Sequence, residues 1–205
     1  MVAALLLAQR ALAHPHVYVT ARSELLYRED GAIVAIRYAW TFDDMFSAYA
    51  LQGIAQKTRG TYTRDELTHL AELNVRALKE YRYFTYALSG NTSPAKAEIF
   101  ADPTDYFFEY DDGSLVLHFT LPFDTALKAR SLAIEMYDPT YFVDFGLEDK
   151  DPVKLVSAPS GCTMTYERPA DGAAKALSLG EAAFTSGANA GYGAMFANKI
   201  RLTCP

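Results

Sequence analysis

His14-Pro15-His16 sets two imidazoles on either side of a proline, directly after Ala11-Leu12-Ala13. Imidazole nitrogen suits borderline divalent ions, and nitrogen donors alone do not choose among Zn, Ni, Co and Cu. The Ala-Leu-Ala triplet has the small-x-small pattern of a signal-peptidase site, and the apolar stretch from Val2 to Ala8 precedes it. Residues 1–13 therefore read as a signal peptide, although its short n-region leaves Arg10 on the wrong side. Cleavage there would make His14 the first residue of a single domain, residues 14–205. Its amine and ring could then grip an ion together, with His16 adding a third nitrogen. The square-planar mode that uses deprotonated backbone amides is blocked, because Pro15 has no N–H to give up. The ordinary alternative is a frayed His14 and a His16 satisfied within a strand.

The rest of a coordination shell has several candidates. His118 lies mid-strand, opposite an apolar face, in a run that could pair with the N-terminal strand. Asp43 and Asp44 sit where a strand hands over to a helix, which a helix N-cap and a first-turn charge would also explain. Asp144 alternates with Val143 and Phe145, so it is expected to be buried on one sheet face and to need a cation or donors. His69, near Glu72 and Arg76, reads as solvated helix surface. Cys162 and Cys204 are the only cysteines. An even pair in an oxidising compartment reads as a disulfide that ties down the C-terminus. Two thiolate ligands are the alternative, without a C-x-x-C to support it.

Other chemistries have no footing. There is no G-x-S-x-G, no H-E-x-x-H and no Gly-rich phosphate loop. The expectation is a protein that is not an enzyme. A net charge of −6, one unit more negative once Arg10 leaves with the leader, argues against nucleic acid. No apolar stretch approaches the about 20 residues that span a bilayer.

The elements that would position these groups follow from hydropathy patterning. Val17 to Tyr27 and Ile33 to Phe42 are β-rich runs around an Asp30-Gly31 turn, a hairpin signal. Residues 43–57 read as one helix. Thr63-Arg64-Asp65-Glu66 is a capping box that opens a longer helix running to about residue 88, stopped by Gly90-Asn91. Seven short runs follow: 96–100, 106–110, 114–123, 131–137, 141–147, 153–157 and 162–167. Residues 171–183 read as a loop or short helix, 186–194 as a flexible Gly/Ala/Asn tract, and 200–204 as a last strand. The expected class is α+β, a mostly antiparallel and sandwich-like sheet with two helices inserted after an N-terminal hairpin.

Four stretches carry a resemblance. They are His14-Pro15-His16-Val17 after a leader, Trp40-Thr41-Phe42-Asp43 with Phe46-Ser47, Tyr83-Phe84-Thr85-Tyr86, and Asp138-Pro139-Thr140-Tyr141-Phe142. Together they resemble the DUF1007 family over residues 14 to about 168, with Cys162 and Cys204 also fitting. The resemblance implies a periplasmic protein of a Gram-negative bacterium, an uncharacterised part of an ABC-type transport system, with genes beside nickel/cobalt permeases or zinc-responsive loci. The combined expectation is a periplasmic accessory protein that delivers or buffers Ni, Co, Zn or Cu for an inner-membrane permease. The alternative is an interaction module that docks on such a permease and binds no ion.

Overall fold

The computed structural model describes residues 15–90, 95–169 and 192–205. His14, the leader, the stretch 171–183 and residues 186–191 of the Gly/Ala/Asn tract lie outside the described residues.

The expected α+β class holds, with largely antiparallel pairing. Strand β1 (Val17–Tyr27) alternates buried Val17, Val19, Ala21, Ser23, Leu25 and Tyr27 with solvent-side residues. Side chains in a strand point to opposite faces in turn, so this one strand builds a core wall and an outer face together. Gly31, at a φ of 78°, lets the chain reverse into β2 (Ile33–Phe42), which pairs antiparallel with β1. In β2 the rings of Tyr38, Trp40 and Phe42 point to the core.

Helix α1 spans only Asp44–Ala50, with Asp43 as its N-cap, so the helix expected over 43–57 is half the predicted length. Gly53, at a φ of 80°, lies just beyond its end. Helix α2 (Arg64–Leu78) opens with the expected capping box: Glu66 N donates to Thr63 Oγ1, and the Glu66 carboxylate accepts from Thr63 N. Its buried stripe is Leu67, Ala71 and Val75. The helix does not run to residue 88. The four-residue spacing of that stripe would next fall on exposed Lys79, so the core-facing ridge ends. A 3-10 segment Lys79–Phe84 follows, and Arg82, Tyr83 and Phe84 take left-handed φ values of 53°, 55° and 48°. The chain thereby turns into a strand not expected from the sequence, β3 (Thr85–Ser89), which pairs antiparallel with Ser131–Met136. Ladder hydrogen bonds and the β-preferring Thr85 and Tyr86 outweigh helix continuation there.

The remaining strands are β4 (Lys96–Ala97), β5 (Thr104–Asp111), β6 (Ser114–Leu127), β7 (Ser131–Met136), β8 (Val143–Leu147), β9 (Val153–Val156), β10 (Thr163–Glu167) and β11 (Asn198–Thr203). One sheet runs β5-β6-β2-β1-β8, with β9 also on β1; the other runs β10-β11-β7-β3-β4. The pairings of β1 with β8 and β9 are parallel. The inner faces of both sheets share one core cluster with α2. At its centre Trp40 lies edge-on to Phe119 and Phe145, at centroid distances of 4.8 and 4.9 Å.

The C-terminal end is fastened twice. Cys162 and Cys204 form the expected disulfide, 42 residues apart. Upstream, Tyr192–Phe196 forms a 3-10 turn where a flexible tract was expected. There Gly193 N donates to Pro139 O at 3.2 Å, and Phe196 stacks on Tyr141 at 3.9 Å. A Cβ on Gly193 would lie 2.0 Å from Asp138 O. Glycine is therefore required at 193 by close backbone approach.

Two outcomes follow. Cys162→Ala combined with Cys204→Ala should cost about 4 kcal/mol in urea unfolding, the chain-entropy value for a loop of this size. Gly193→Ala should cost at least about 3 kcal/mol, the upper end for overpacking, because its neighbour is backbone and cannot swing aside.

Candidate functional site

The predicted ligand residues sort by strand register. His16 immediately precedes β1. Its N–H donates to Phe142 O at 2.9 Å, and its exposed ring stacks on Phe142 at a centroid distance of 4.7 Å. One step on, Tyr18 lies opposite Asp144 in the parallel β1–β8 ladder. Directly opposed residues share a face, and residues two apart on a strand also share it. His16 and Asp144 are thus diagonal neighbours on the outer face of that pair. Asp144 is half-buried, and its carboxyl is pushed above the usual carboxylate range by desolvation, partly offset by a hydrogen bond from Tyr141. The hydroxyl of Tyr141 is pushed up in turn, chiefly by its own burial and then by the Asp144 charge.

Asp43 is close by but occupied. Its Oδ1 accepts from Phe46 N at 2.8 Å, capping α1, and its Oδ2 accepts from Tyr18 N at 2.7 Å. Its own N–H donates to Tyr18 O at 3.0 Å. The residue is a clasp between the start of β1 and the start of α1. Asp44 is exposed and accepts from Ser114 Oγ at 3.2 Å.

His118 belongs to another place. The run that carries it pairs with β2 and β5, so the expected pairing with the N-terminal strand does not occur. Ala39 lies between His118 and Arg22 in register, six positions along β1 from His16. At about 3.3 Å per residue that is an offset of about 20 Å along the strands, far beyond one coordination sphere. His118 Nε2 instead pairs with Glu109 Oε2 at 3.0 Å. Its ring stacks on Phe107 at 4.5 Å, and the Arg64 guanidinium sits 3.7 Å from the Phe107 centroid. Burial lowers the His118 pKa below its ordinary value; Glu109 opposes this, while Arg64 and Arg22 add to it. His69 is on the exposed side of α2, as expected. Among the described residues, no three His, Cys, Asp or Glu side chains form a group able to hold a metal.

Asp138 is not among the predicted ligands. It is 3% exposed, and its carboxylate accepts from Thr140 N, Thr140 Oγ1, Phe142 N and Val143 N at 2.8–3.1 Å. A following Thr at the second position, whose hydroxyl folds back, was the available signal. The Glu109–His118 and Phe107–His118 contacts were legible from the Asp112-Gly113 turn, since that centre sets Phe107 opposite His118.

Two sheets closed over one core, most of whose strand pairs are antiparallel, define an α+β domain with His16, Asp43 and Asp144 at the head of β1. The chain belongs to the DUF1007 family, whose description is a protein of unknown function and whose model matches residues 1–204. An uncharacterised 15.5 kDa protein of Spirochaeta aurantia, described as lying in a trpE 3' region, is 32% identical over 97 residues. That match covers 47% of this chain and 66% of the relative, just under two thirds of its length. An uncharacterised protein of Haemophilus influenzae is 22% identical over 196 residues, covering 94% of this chain and 92% of the relative. Among the described residues no helix is long and apolar enough to cross a membrane.

The His118 environment predicts a pH dependence. A lowered folded-state pKa means that the unfolded chain binds the proton better, so stability rises with pH across the window below the ordinary value of 6.5. Wild type should therefore lose stability relative to a His118→Phe variant as pH falls from about 7.5 to about 5, at and below the ordinary His pKa. Urea denaturation at each pH reads this; parallel curves for the two proteins would contradict it.

Proposed function

We propose that this protein is an exported, non-enzymatic accessory protein that carries one divalent transition-metal ion (Zn, Ni, Co or Cu). It would work in the periplasm of a Gram-negative bacterium, after removal of residues 1–13. It would exchange its cargo with an inner-membrane permease or ABC-type transporter. The observation that supports this reading is the β1–β8 register, which sets exposed His16 and half-buried Asp144 as diagonal neighbours on one face.

The donor chemistry fits a cation. Burial disfavours the Asp144 charge, and a bound cation would reverse that penalty. Processing after Ala13 would add the His14 amine and ring two residues from His16. One carboxylate oxygen and three nitrogens make four donors, the number a tetrahedral ion takes. Asp43 serves as the clasp that holds Tyr18 in place, and His118 lies outside the shell. The Cys162–Cys204 disulfide accords with an oxidising compartment.

A second reading, a docking module that binds no ion, draws on α1. Met45 and Tyr49 are 74% and 71% exposed on one side of that helix, while Phe46 packs against the core from the other. An apolar side chain on both faces of a single short helix suits burial against a membrane-protein partner.

Isothermal titration of the processed protein decides between them. Wild type should bind one ion, and His16→Ala or Asp144→Asn should each weaken binding about tenfold or more, the equivalent of ~1.4 kcal/mol. His118→Ala should leave affinity unchanged. Affinity should fall with acidification, because protons compete for both ligands. Equal affinity of wild type and the His16→Ala, Asp144→Asn double variant would remove this site and favour the docking reading.

A further inference from the structure

We propose that the cleft between the C-terminal end of α2 and the Asp138–Phe142 loop is a binding site for an uncharged alkyl chain. This is independent of the metal reading. The cleft encloses about 390 Å³, within the ~300–1,000 Å³ of small-molecule sites. Its floor is core: Trp40, Leu117 and Phe145 are 1–3% exposed. Its mouth is aromatic: Tyr81 and Phe142 are 48% and 46% exposed. Protein interiors close-pack and leave few voids larger than a water. A gap of this size, floored by buried residues and open to solvent at an aromatic mouth, is shaped for an occupant.

The lining sets the ligand's chemistry. No Lys or Arg lines the cleft. Its one carboxylate, Asp138, is saturated by its own loop, as is the Thr140 hydroxyl that donates to it. The Asn74 amide donates to Leu70 O. An anionic ligand would meet a carboxyl group and gain no cation. An uncharged chain loses nothing by entering.

A second observation concerns the walls. Phe84, on one wall, holds a left-handed φ of 48°. That region is costly for bulky side chains and natural for glycine. A turn that merely reversed the chain would use glycine. Here the strained position carries a ring, and Phe84 turns it onto the cleft wall beside Phe145 at 5.3 Å. Strain of this kind collects where a surface is held ready for a ligand.

Trp40 is the only tryptophan, so the floor of the cleft has a private optical probe. The probe ligand is 10-bromodecan-1-ol, whose bromine quenches an indole at short range. Saturable quenching is expected. In titrations of plain 1-alkanols, affinity should tighten about fourfold per added CH₂, the ~0.8 kcal/mol of a buried methylene, until the cleft is full. Decanoate should bind more weakly than decanol. Ala77→Phe, at an exposed helix position on the mouth, should lose the quenching while far-UV dichroism is unchanged. A parallel arm uses phosphatidylcholine vesicles with brominated acyl chains. Quenching there assigns a membrane lipid as the source of the chain; quenching by the free alcohol alone assigns a soluble amphiphile. Absence of quenching in both arms, quenching that does not saturate, or an unaltered response in folded Ala77→Phe overturns the proposal. Should that variant fail to fold, the wild-type series still decides, because affinity independent of chain length overturns it too.

Discussion

The buried carboxylate of Asp138 organises one end of this molecule. Four donors from the next five residues converge on it, so the segment from Thr140 to Val143 has one available path. That path delivers Phe142 O to the amides of His16 and Val17 and starts the parallel ladder of β8 on β1. A buried carboxylate without donors is strongly unfavourable, and donors from its own loop remove that cost. The loop geometry and the buried carboxylate therefore stabilise each other. Everything at the head of β1 inherits its position from this arrangement: the ring of His16, the carboxyl of Asp144 and the aromatic lip of the cleft.

β1 carries two kinds of duty. Its inner side chains are uninterrupted core, and its outer ones present polar and aromatic groups. Asp43 and Phe142 hold its first residues from opposite flanks, one through Tyr18 and the other through His16 and Val17. A strand start pinned on both sides is held in register, and this makes His16 part of a surface.

Local pattern carried much of the fold. The alternation in Ile36–Phe42, the Asp-Gly turns, the Thr63–Glu66 capping box and the Cys162–Cys204 bridge all reappear in space. Each depends on neighbours in sequence or on the simple pairing of two cysteines. What escaped depends on distant partners. The stretch after Leu78 has helix-like spacing through Tyr81, and only the hydrogen bonds offered by β7 turn Thr85–Ser89 into a strand. The parallel pairing of Val17 with Val143 joins residues that no periodicity relates. For the same reason His118 reads as a partner for His16 until β2 is seen between their strands. The role of Asp138 was hidden because its turn chemistry looks the same whether the carboxylate is solvated or enclosed.

Gly193 and Phe196 back the Asp138–Tyr141 loop from behind, and the strand that follows them lies between β10 and β7. The last residues of the polypeptide thus complete the support of a surface built on its first strand. A chain built from its amino end holds that surface half-made until residues 193–203 have been added. Loss of those residues would therefore disable the head of β1 from the opposite end of the sequence.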